Sequence, residues 1–408
     1  MKALLIGAGG VGNAIVKIAA RRSFITSMVV SDFNLARAET AIADLGDSRF
    51  SSAQIDASKI ENLRKLISEV KPDIVINAVD PRYVMPIFLA CEEEKVNYID
   101  MAMSLSTPDP KDPFNKPGVK LGDEQFARAD IWEKKGIYAV VGMGIEPGMS
   151  DVFARYAADE LFSRIDYLAV MDGSNLTVDG YEFAPSFSIW TTIEECLNPP
   201  LMWEEGRGWY TTEPFSELEV YDFPEGIGPV ECVNVEHEEV VLIPMKVKAK
   251  EVRFKYGLGS QFIETLKTIH ALGMDRKEKI SVQGVEVSPR ELLAALLPDP
   301  ATIGPLMHGK TCAGTLVKGL DKAGKPKAVY IYNVVDNEWS MKNYGNQAVV
   351  WQTAINPLIA MELIANGKWK PQGISGPEWF PAQPFLDLIG EYGSSWNIRE
   401  EDPKGIVI

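Results

Sequence analysis

The chain has 408 residues, which is too long for one ordinary domain and predicts two or three. Its hydrophobic content of 46% and charged content of 24% are typical of a soluble globular protein. The net charge of −16 disfavours nucleic acids and anionic membranes as partners, and no stretch approaches about 18 uninterrupted apolar residues, so we expect neither a membrane span nor a signal peptide.

The first predicted element is an apolar strand over residues 3–6, which leads into the glycine-rich turn GAGGVG (7–12) and then into a helix. In a dinucleotide-binding turn, the first glycine permits the bend, the second lets the backbone approach the pyrophosphate, and the third lets helix and strand pack closely. A second apolar run ends at Asp32, about 20 residues after the last glycine, where a carboxylate binds the adenosine ribose. This order predicts a dinucleotide site; the alternative is a packing turn of another α/β fold.

Asp32 favours NAD as the cofactor, because a carboxylate at the ribose repels the 2′-phosphate of NADP. Arg37 follows soon after and is able to neutralise a 2′-phosphate, so NADP stays the alternative. The residues that we expect to contact the cofactor lie in the turn and at the ends of the following strands: Gly7, Gly9, Gly10, Val11, Gly12, Asp32, Phe33, Asp56, Ala57, Ala78, Val79, Asp80 and Met101.

Helices and strands then alternate up to residue 143. Their predicted ranges are helices over 35–45, 60–70 and 83–94, and strands over 50–56, 73–78, 97–100 and 138–143. This alternation predicts a Rossmann fold, in which a doubly wound parallel sheet carries helices on both faces.

Ligands of such sheets bind beyond the carboxyl ends of the strands. Three segments hold that position, namely 78–80, 100–102 and 144–148. Simple turns are the alternative reading, because Asp-Pro and Pro-Gly form turns in their own right.

The pattern changes after residue 150. A helix is predicted over 151–162, strands over 165–171, 216–221, 239–245, 248–256 and 327–335, and helices over 262–272 and 289–297. This predicts an α+β domain whose mixed, mostly antiparallel sheet carries substrate groups and the dimer contact. A long apolar helix over 347–365 is expected to pack back on the first sheet. The predicted parts are therefore 1–150, 151–340 and 341–408.

The four cysteines are far apart and show neither a CxxC motif nor metal-ligand spacing: Cys91, Cys196, Cys232 and Cys312. This usage predicts buried free thiols in a reducing cytoplasm. Only three histidines exist, and no histidine–cysteine cluster supports a metal site, so none is predicted.

Two runs resemble the saccharopine dehydrogenase family: NAVDPRYVMPIFLACEEEKVNYIDMAM (77–103) and GMGIEPGMSDVFARYAADEL (142–161). Later runs are similar to its carboxynorspermidine dehydrogenase branch, among them FAPSFSIWTTIEECLNPP (183–200), LLPDPATIGPLMHGKT (296–311) and YGNQAVVWQTAINPLIAMELI (344–364). The resemblance covers nearly the whole chain. It implies a nicotinamide cofactor on the first domain, a substrate cleft between the domains, and reduction of an imine to a secondary amine or the reverse reaction.

Hydride transfer to an imine requires a proton source and charges that match the substrate. The predicted catalytic residues are Asp100, His308 and Lys310. Predicted substrate contacts are Glu146, Pro147, Gly148, Trp190, Thr191 and Arg253. Glu146 suits an ammonium group, and the free amides after it suit a carboxylate. A structural role is the alternative for each, and His237 and His270 are placed among solvated residues and not selected.

The sequence thus predicts an NAD(P)-dependent oxidoreductase acting on the C–N bond of an amino-acid or polyamine-derived substrate, made from an amine and an oxoacid or aldehyde. We expect a homodimer, with the middle sheet as the contact. Two alternatives are a transferase resembling homospermidine synthase, which retains NAD and returns the hydride, and a non-catalytic NAD-binding sensor or assembly protein.

Overall fold

The computed structural model describes residues 1–406. Two β-sheets dominate it, with two short two-stranded sheets beside them. The strands, numbered in chain order, are β1 (Lys2–Ile6), β2 (Ser27–Asp32), β3 (Phe50–Gln54), β4 (Ile74–Asn77), β5 (Asn97–Asp100), β6 (Tyr138–Val140), β7 (Phe162–Ser174), β8 (Thr177–Val178), β9 (Leu201–Glu204), β10 (Gly208–Thr211), β11 (Glu219–Phe223), β12 (Gly228–Asn234), β13 (Ala249–Gly257), β14 (Ile280–Val282), β15 (Val285–Val287), β16 (Met307–His308), β17 (Lys310–Asp321), β18 (Pro326–Asp336), β19 (Gly373–Ser375) and β20 (Asn397–Glu400).

The helices flank these sheets. In chain order they are α1 (Gly10–Ala19), α2 (Leu35–Ala43), α3 (Ile60–Val70), α4 (Val84–Glu94), α5 (Asp123–Phe126), α6 (Ala129–Lys135), α7 (Met149–Tyr156), α8 (Ile189–Leu197), α9 (Glu239–Lys246), α10 (Ser260–Ala271), α11 (Pro289–Leu296), α12 (Asn337–Tyr344), α13 (Ala348–Ala365) and α14 (Gln383–Leu388).

The first sheet is parallel and doubly wound. Its strands run in the order β19-β6-β5-β4-β1-β2-β3, and every neighbouring pair is parallel. The winding reverses between β1 and β4, which opens a crevice outside their carboxyl ends, where such sheets bind ligands. The predicted Rossmann fold is confirmed.

Two glycines of the turn after β1 are required by packing. Gly7 has a φ of +101°, and a Cβ there would lie 2.5 Å from the carbonyl oxygen of Ala78. A Cβ on Gly12 would lie 1.9 Å from the carbonyl oxygen of Gly7. Only glycine therefore permits the close packing of α1 on β1 and β4.

The second sheet is mixed, as predicted. Its path runs β10-β9-β13-β7-β17-β18-β20, with β12 paired to β13 and β11 to β12. β7 and β13 are parallel, whereas the other pairs are antiparallel. α7 packs on β17 and α9 packs on β13. These two helices come after β6 in the chain and lie against the second sheet.

The C-terminal part joins both sheets. α13 packs along α1, as predicted, and β19 extends the first sheet beside β6. β20, in contrast, pairs with β18 of the second sheet. α13 is long and apolar enough to cross a membrane, but 78% of it is buried inside the molecule. The three domain boundaries stay a prediction.

The predicted strand over 239–245 is wrong, because these residues form the helix α9. A short apolar run does not separate a buried helix from a buried strand, and five successive residues of α9 are buried, from Glu239 to Ile243. The strand predicted over 216–221 starts late, at Glu219. Phe215 and Glu217 have φ values of 60° and 52°, which are incompatible with a pleated strand.

Candidate active site

A cavity of about 730 Å³ lies beyond the carboxyl ends of the first sheet. The first sheet contributes the glycine turn and the segments after β4, β5 and β6. The second part of the chain contributes residues of β7, β13 and α8. A ligand in this cavity therefore contacts both sheets.

One end of the cavity is formed by backbone of the glycine turn and the neighbouring strand ends: Gly9, Gly10, Val11, Ala78, Val79, Asp80 and Met101. No atom lies within 4 Å of the place where a Cβ on Gly9 would be, which leaves room for a ligand to approach the backbone. The first hydrogen bond of α1 runs from the Asn13 amide to the Gly9 oxygen, so the preceding amides lack a helical acceptor. This end fits the pyrophosphate of a nicotinamide dinucleotide.

Asp32 lies beside this end, but its carboxylate binds the turn itself. One oxygen accepts from the Ala8 amide and the other from the Asn34 amide, both at 2.8 Å. Phe33 is 71% exposed, and Asp56 accepts from the amide of residue 58. Asp32, Phe33, Asp56 and Ala57 lie outside the cavity lining, whereas Gly7 and Gly12 act by packing.

Two arginines line the cavity, and each is paired with an acid. Arg37 lies 3.7 Å from Asp299, and Arg82 lies 2.7 Å from Asp80. Arg82 also stacks over the ring of Trp190 at 4.2 Å. Trp190 and Thr191, both on α8, line the same wall.

The other end of the cavity is acidic. Glu146 after β6, Asp172 on β7, Glu195 on α8 and Glu238 before α9 all line it. One oxygen of Glu146 and one of Asp172 are buried with no N–H or hydroxyl donor among residues 1–406. This end of the cavity is therefore suited to a cation.

Burial raises the pKa of these carboxyls, because a carboxylate is poorly solvated there. The pKa of Asp172 rises to about 7, that of Glu195 to about 8, and that of Glu146 lies well above its usual range. These groups hold protons near neutrality. A cation bound beside them favours the charged form and displaces the protons.

His237 lies among these acids and also lines the cavity. Its Nδ1 hydrogen-bonds with Glu239, whose other oxygen accepts from the Ser150 hydroxyl at 2.9 Å. Its ring stacks on Phe254 with a centroid separation of 3.8 Å. Burial lowers the pKa of His237, but Glu239 and Glu238 raise it further, so that it lies well above its usual range. Because Nδ1 is engaged, Nε2 is the ring nitrogen left for a ligand.

The turn after β6 presents Glu146 and Pro147 to the cavity. The Gly148 amide donates to the Asp151 carboxylate at 2.8 Å, and the next two amides donate to the carbonyl oxygens of residues 144 and 145. The prediction that these amides are free to hold a carboxylate is wrong, because the turn satisfies them internally.

The structure does not bring Asp100 to the cavity lining. Its buried carboxylate accepts from the Gly142 amide at 2.7 Å and from the Gln125 side chain at 2.9 Å. Burial raises the pKa of Asp100 to about 7. Asp100 thereby ties β5 to the turn after β6.

His308, Lys310 and Arg253 also lie outside the cavity lining. His308 is exposed between Glu338 at 3.2 Å and Asp179 at 3.3 Å, and Lys310 donates to the carbonyl oxygen of residue 225. Arg253 precedes Phe254 on β13, and successive strand side chains point to opposite faces. Its guanidinium therefore faces away and donates to residues 203 and 210.

Sequence reasoning missed five residues of the acidic end: Asp172, Glu195, His237, Glu238 and Tyr256. The run His-Glu-Glu at 237–239 was a usable signal, because a histidine beside two acids is a common proton-transfer arrangement. Asp172 stands within a long apolar strand, where an acid requires a partner or a ligand. Glu195 carried no such local signal.

Two family models match the chain. One, described as the saccharopine dehydrogenase NADP binding domain, matches residues 3–140, and the other, the saccharopine dehydrogenase C-terminal domain, matches residues 144–394. Carboxynorspermidine synthase of Vibrio cholerae is 32% identical over 99% of this chain and 98% of its own length. Carboxyaminopropylagmatine dehydrogenase of Synechocystis sp. is 29% identical over 97% of both. The structure of saccharopine dehydrogenase (L-Glu forming) from Saccharomyces cerevisiae has a TM-score of 0.70 at 14% identity and covers 98% of this chain and 100% of its own.

Proposed function

The chain belongs to the saccharopine dehydrogenase family, and we propose that it is a nicotinamide-dependent oxidoreductase that reduces the imine of a cationic amine to a secondary amine. One observation carries this proposal: a single cavity joins the glycine turn to Glu146 and Asp172, each of which has a buried carboxyl oxygen with no hydrogen-bond donor among residues 1–406. The glycine turn suits the dinucleotide that provides the hydride, and the carboxyls suit a cationic substrate.

The names of the relatives suggest a substrate class. The two compounds in these names, carboxynorspermidine and carboxyaminopropylagmatine, are amines that carry a carboxyl group. We propose a product of this class, a carboxyaminopropyl amine. Its carbon skeleton results when a primary amine condenses with the aldehyde of 2-amino-4-oxobutanoate, water leaves, and the imine takes up a hydride and a proton.

His237 is the proposed proton donor. His237 lines the cavity, and because Glu239, itself bonded by Ser150, holds Nδ1, Nε2 is the ring nitrogen left for a ligand. This orientation favours a charged imidazolium that protonates the imine nitrogen. A bound nicotinamide supplies the hydride. Arg82 is the proposed partner of the substrate carboxylate, because it lies on the cavity wall and its Nε and Nη2, which donate to Asp80, leave Nη1 for a ligand.

For the cofactor we propose NAD, supported by the carboxylate of Asp32 at the end of β2. The second candidate is NADP. It is favoured by Arg37, which lines the cavity and is able to neutralise a 2′-phosphate. The matching family model is also described as NADP binding. Comparing KM for NADH and NADPH in the wild type and in Arg37→Ala separates the two. If NADP is the cofactor, only the NADPH value rises in the variant.

The test of the reaction is an absorbance assay with NADH and NADPH over a matrix of amines and aldehydes. A dehydrogenase consumes one reduced nicotinamide for each secondary amine formed. Turnover without net loss of reduced cofactor indicates a transferase instead. Cofactor binding with no turnover on any pair contradicts the proposal and favours a sensor.

We also propose a cytoplasmic homodimer. Four buried free cysteines support a reducing compartment. Apolar side chains on edge strands of the second sheet support self-association there, with Val220 64% exposed and Ile398 40% exposed. Sedimentation of the wild type and of Val220→Lys tests this, since the variant is expected to dissociate.

A further inference from the structure

Glu146 and Asp172 lie next to each other at the acidic end of the cavity. Glu146 Oε1 and Asp172 Oδ1 are buried, and no N–H or hydroxyl group of residues 1–406 donates to either. The two carboxyls lie within hydrogen-bonding reach of each other, so a proton on one of them bonds the pair. They come from different elements, the turn after β6 and the strand β7, and both line the cavity.

The charges of the cavity decide which part of the substrate this pair fits. A carboxyaminopropyl group carries a carboxylate, which an acidic pair repels. Arg37 and Arg82 also line the cavity, each beside an acid, Asp299 and Asp80, so that a group with both a carboxylate and an ammonium fits next to these ion pairs. What fits between two carboxyls is a cation with no carboxylate.

We propose that Glu146 and Asp172 bind a second cationic group of the amine substrate, an ammonium or a guanidinium, in exchange for the proton that the pair shares in its absence. This rests on the proposed function, because it takes the amine as the substrate. The pair then selects diamines over monoamines. It also makes binding of the diamine release one proton more than binding of the monoamine.

The groups that face the pair come from every surrounding element: His237, Glu239, Glu195, Tyr256, Tyr330, Cys196, Cys232 and Cys312. Of these, His237 is the cation, and it is bonded to Glu239. Burial raises the pKa of both carboxyls of the pair, and the bond between them keeps the shared proton on Glu146. The second cationic group of an entering diamine supplies the positive charge that this proton provides in its absence.

The kinetic test compares three amines with one aldehyde, 2-amino-4-oxobutanoate: 1,3-diaminopropane, agmatine and propylamine, which lacks the second cation. In the wild type we expect KM for one of the two dications to be at least about tenfold below that for propylamine. Which of them gains shows whether the site takes an ammonium or a guanidinium. Equal KM values for all three amines overturn the inference while leaving the proposed function intact.

Glu146→Gln and Asp172→Asn keep the shape of the side chains and remove one charge. Each is expected to raise KM for the preferred dication by about tenfold and to leave that for propylamine within about twofold. An equal rise for both amines shows that the pair acts on the reacting nitrogen and contradicts the inference. Glu378→Gln is the matched control, because Glu378 is a fully buried carboxyl that receives no hydrogen bond from residues 1–406 at either oxygen and lies outside the cavity lining.

Calorimetry of the holoenzyme without aldehyde tests proton release independently of turnover. The dication and propylamine are titrated in two buffers of different ionisation enthalpy. We expect one additional proton released by the dication in the wild type and in Glu378→Gln, and none in Glu146→Gln. If the wild type turns over no substrate pair but binds the dication with this release, the proposed function fails and the site stands. A dication that binds no better than propylamine overturns the site.

Discussion

The two ends of the cavity were built in different ways. The end that fits the cofactor comes from the glycine turn after β1 and from the segments that follow β4 and β5, all at one edge of the parallel sheet. The acidic end collects Glu146, Asp172, Glu195 and His237 from four separate elements. The first end is held by backbone geometry and the second by burial of charge. Substitutions at the glycine turn should therefore change stability or cofactor binding, whereas substitutions at the acidic end should change kcat or the pH dependence of stability.

The largest effect is expected at the glycine turn. Gly12→Ala places a Cβ 1.9 Å from the Gly7 oxygen and should lower the free energy of unfolding by about 3 kcal/mol through overpacking. Gly9→Ala is the control, since a Cβ there meets open space, and it should weaken only cofactor binding. Urea unfolding and fluorescence titration with NADH measure the two quantities. Equal stability of Gly12→Ala and the wild type contradicts the packing argument.

His237→Gln tests the proton donor at the acidic end. We expect kcat to fall by about 100-fold, because a positioned general acid contributes on this scale, while the Kd for NADH stays unchanged. His270→Gln is the matched control, because His270 is exposed and paired with Asp275 outside the cavity lining. A kcat near that of the wild type for His237→Gln would remove His237 from the mechanism.

The pH dependence of stability reports burial of charge. Burial raises the pKa of Glu195 to about 8 in the folded protein, above its ordinary value of 4.5. The folded state therefore binds the extra proton, and the stability contributed by this group is present below pH 4.5 and lost as the pH rises through about 8. Relative to the wild type, Glu195→Gln should gain about 3.5 kcal/mol between pH 5 and pH 8 in urea unfolding. An unchanged difference across that range contradicts the assigned burial.

The smallest effect is expected at the exposed cluster that the sequence favoured for catalysis. His308 is solvated between Asp179 and Glu338, and these two carboxylates raise its pKa by hydrogen bonding. His308→Gln and Lys310→Ala should each leave kcat/KM within about twofold of the wild type, as surface substitutions usually do. A loss comparable to that of His237→Gln would move the catalytic centre to this cluster.

The comparison also shows which predictions from sequence are dependable. The parallel sheet and the helix α13 were predicted because their signals are local: short apolar runs between turns for the strands and one long apolar run for the helix. The helix α9 was predicted as a strand, because its short apolar run fits both periods. Arg253 was predicted in the cleft, but its neighbour Phe254 holds that face of β13. Side chains alternate between the two faces of a strand, so a shift of one residue decides which of them enters the cleft. The strand's pairing partners in the mixed sheet set this register.

The sequence by itself predicted the residues that line the cofactor end, since the glycine turn and the ends of the strands near residues 78 and 101 follow local strand–turn signals. It also determined the family, through motifs spread over nearly the whole chain. Only the tertiary structure decided the acidic end. Glu146, Asp172, Glu195 and His237 are far apart in sequence, and each acquires its proton affinity from the burial and charge of the others. Their raised pKa values arise only in the folded protein, where the two sheets bury these side chains together.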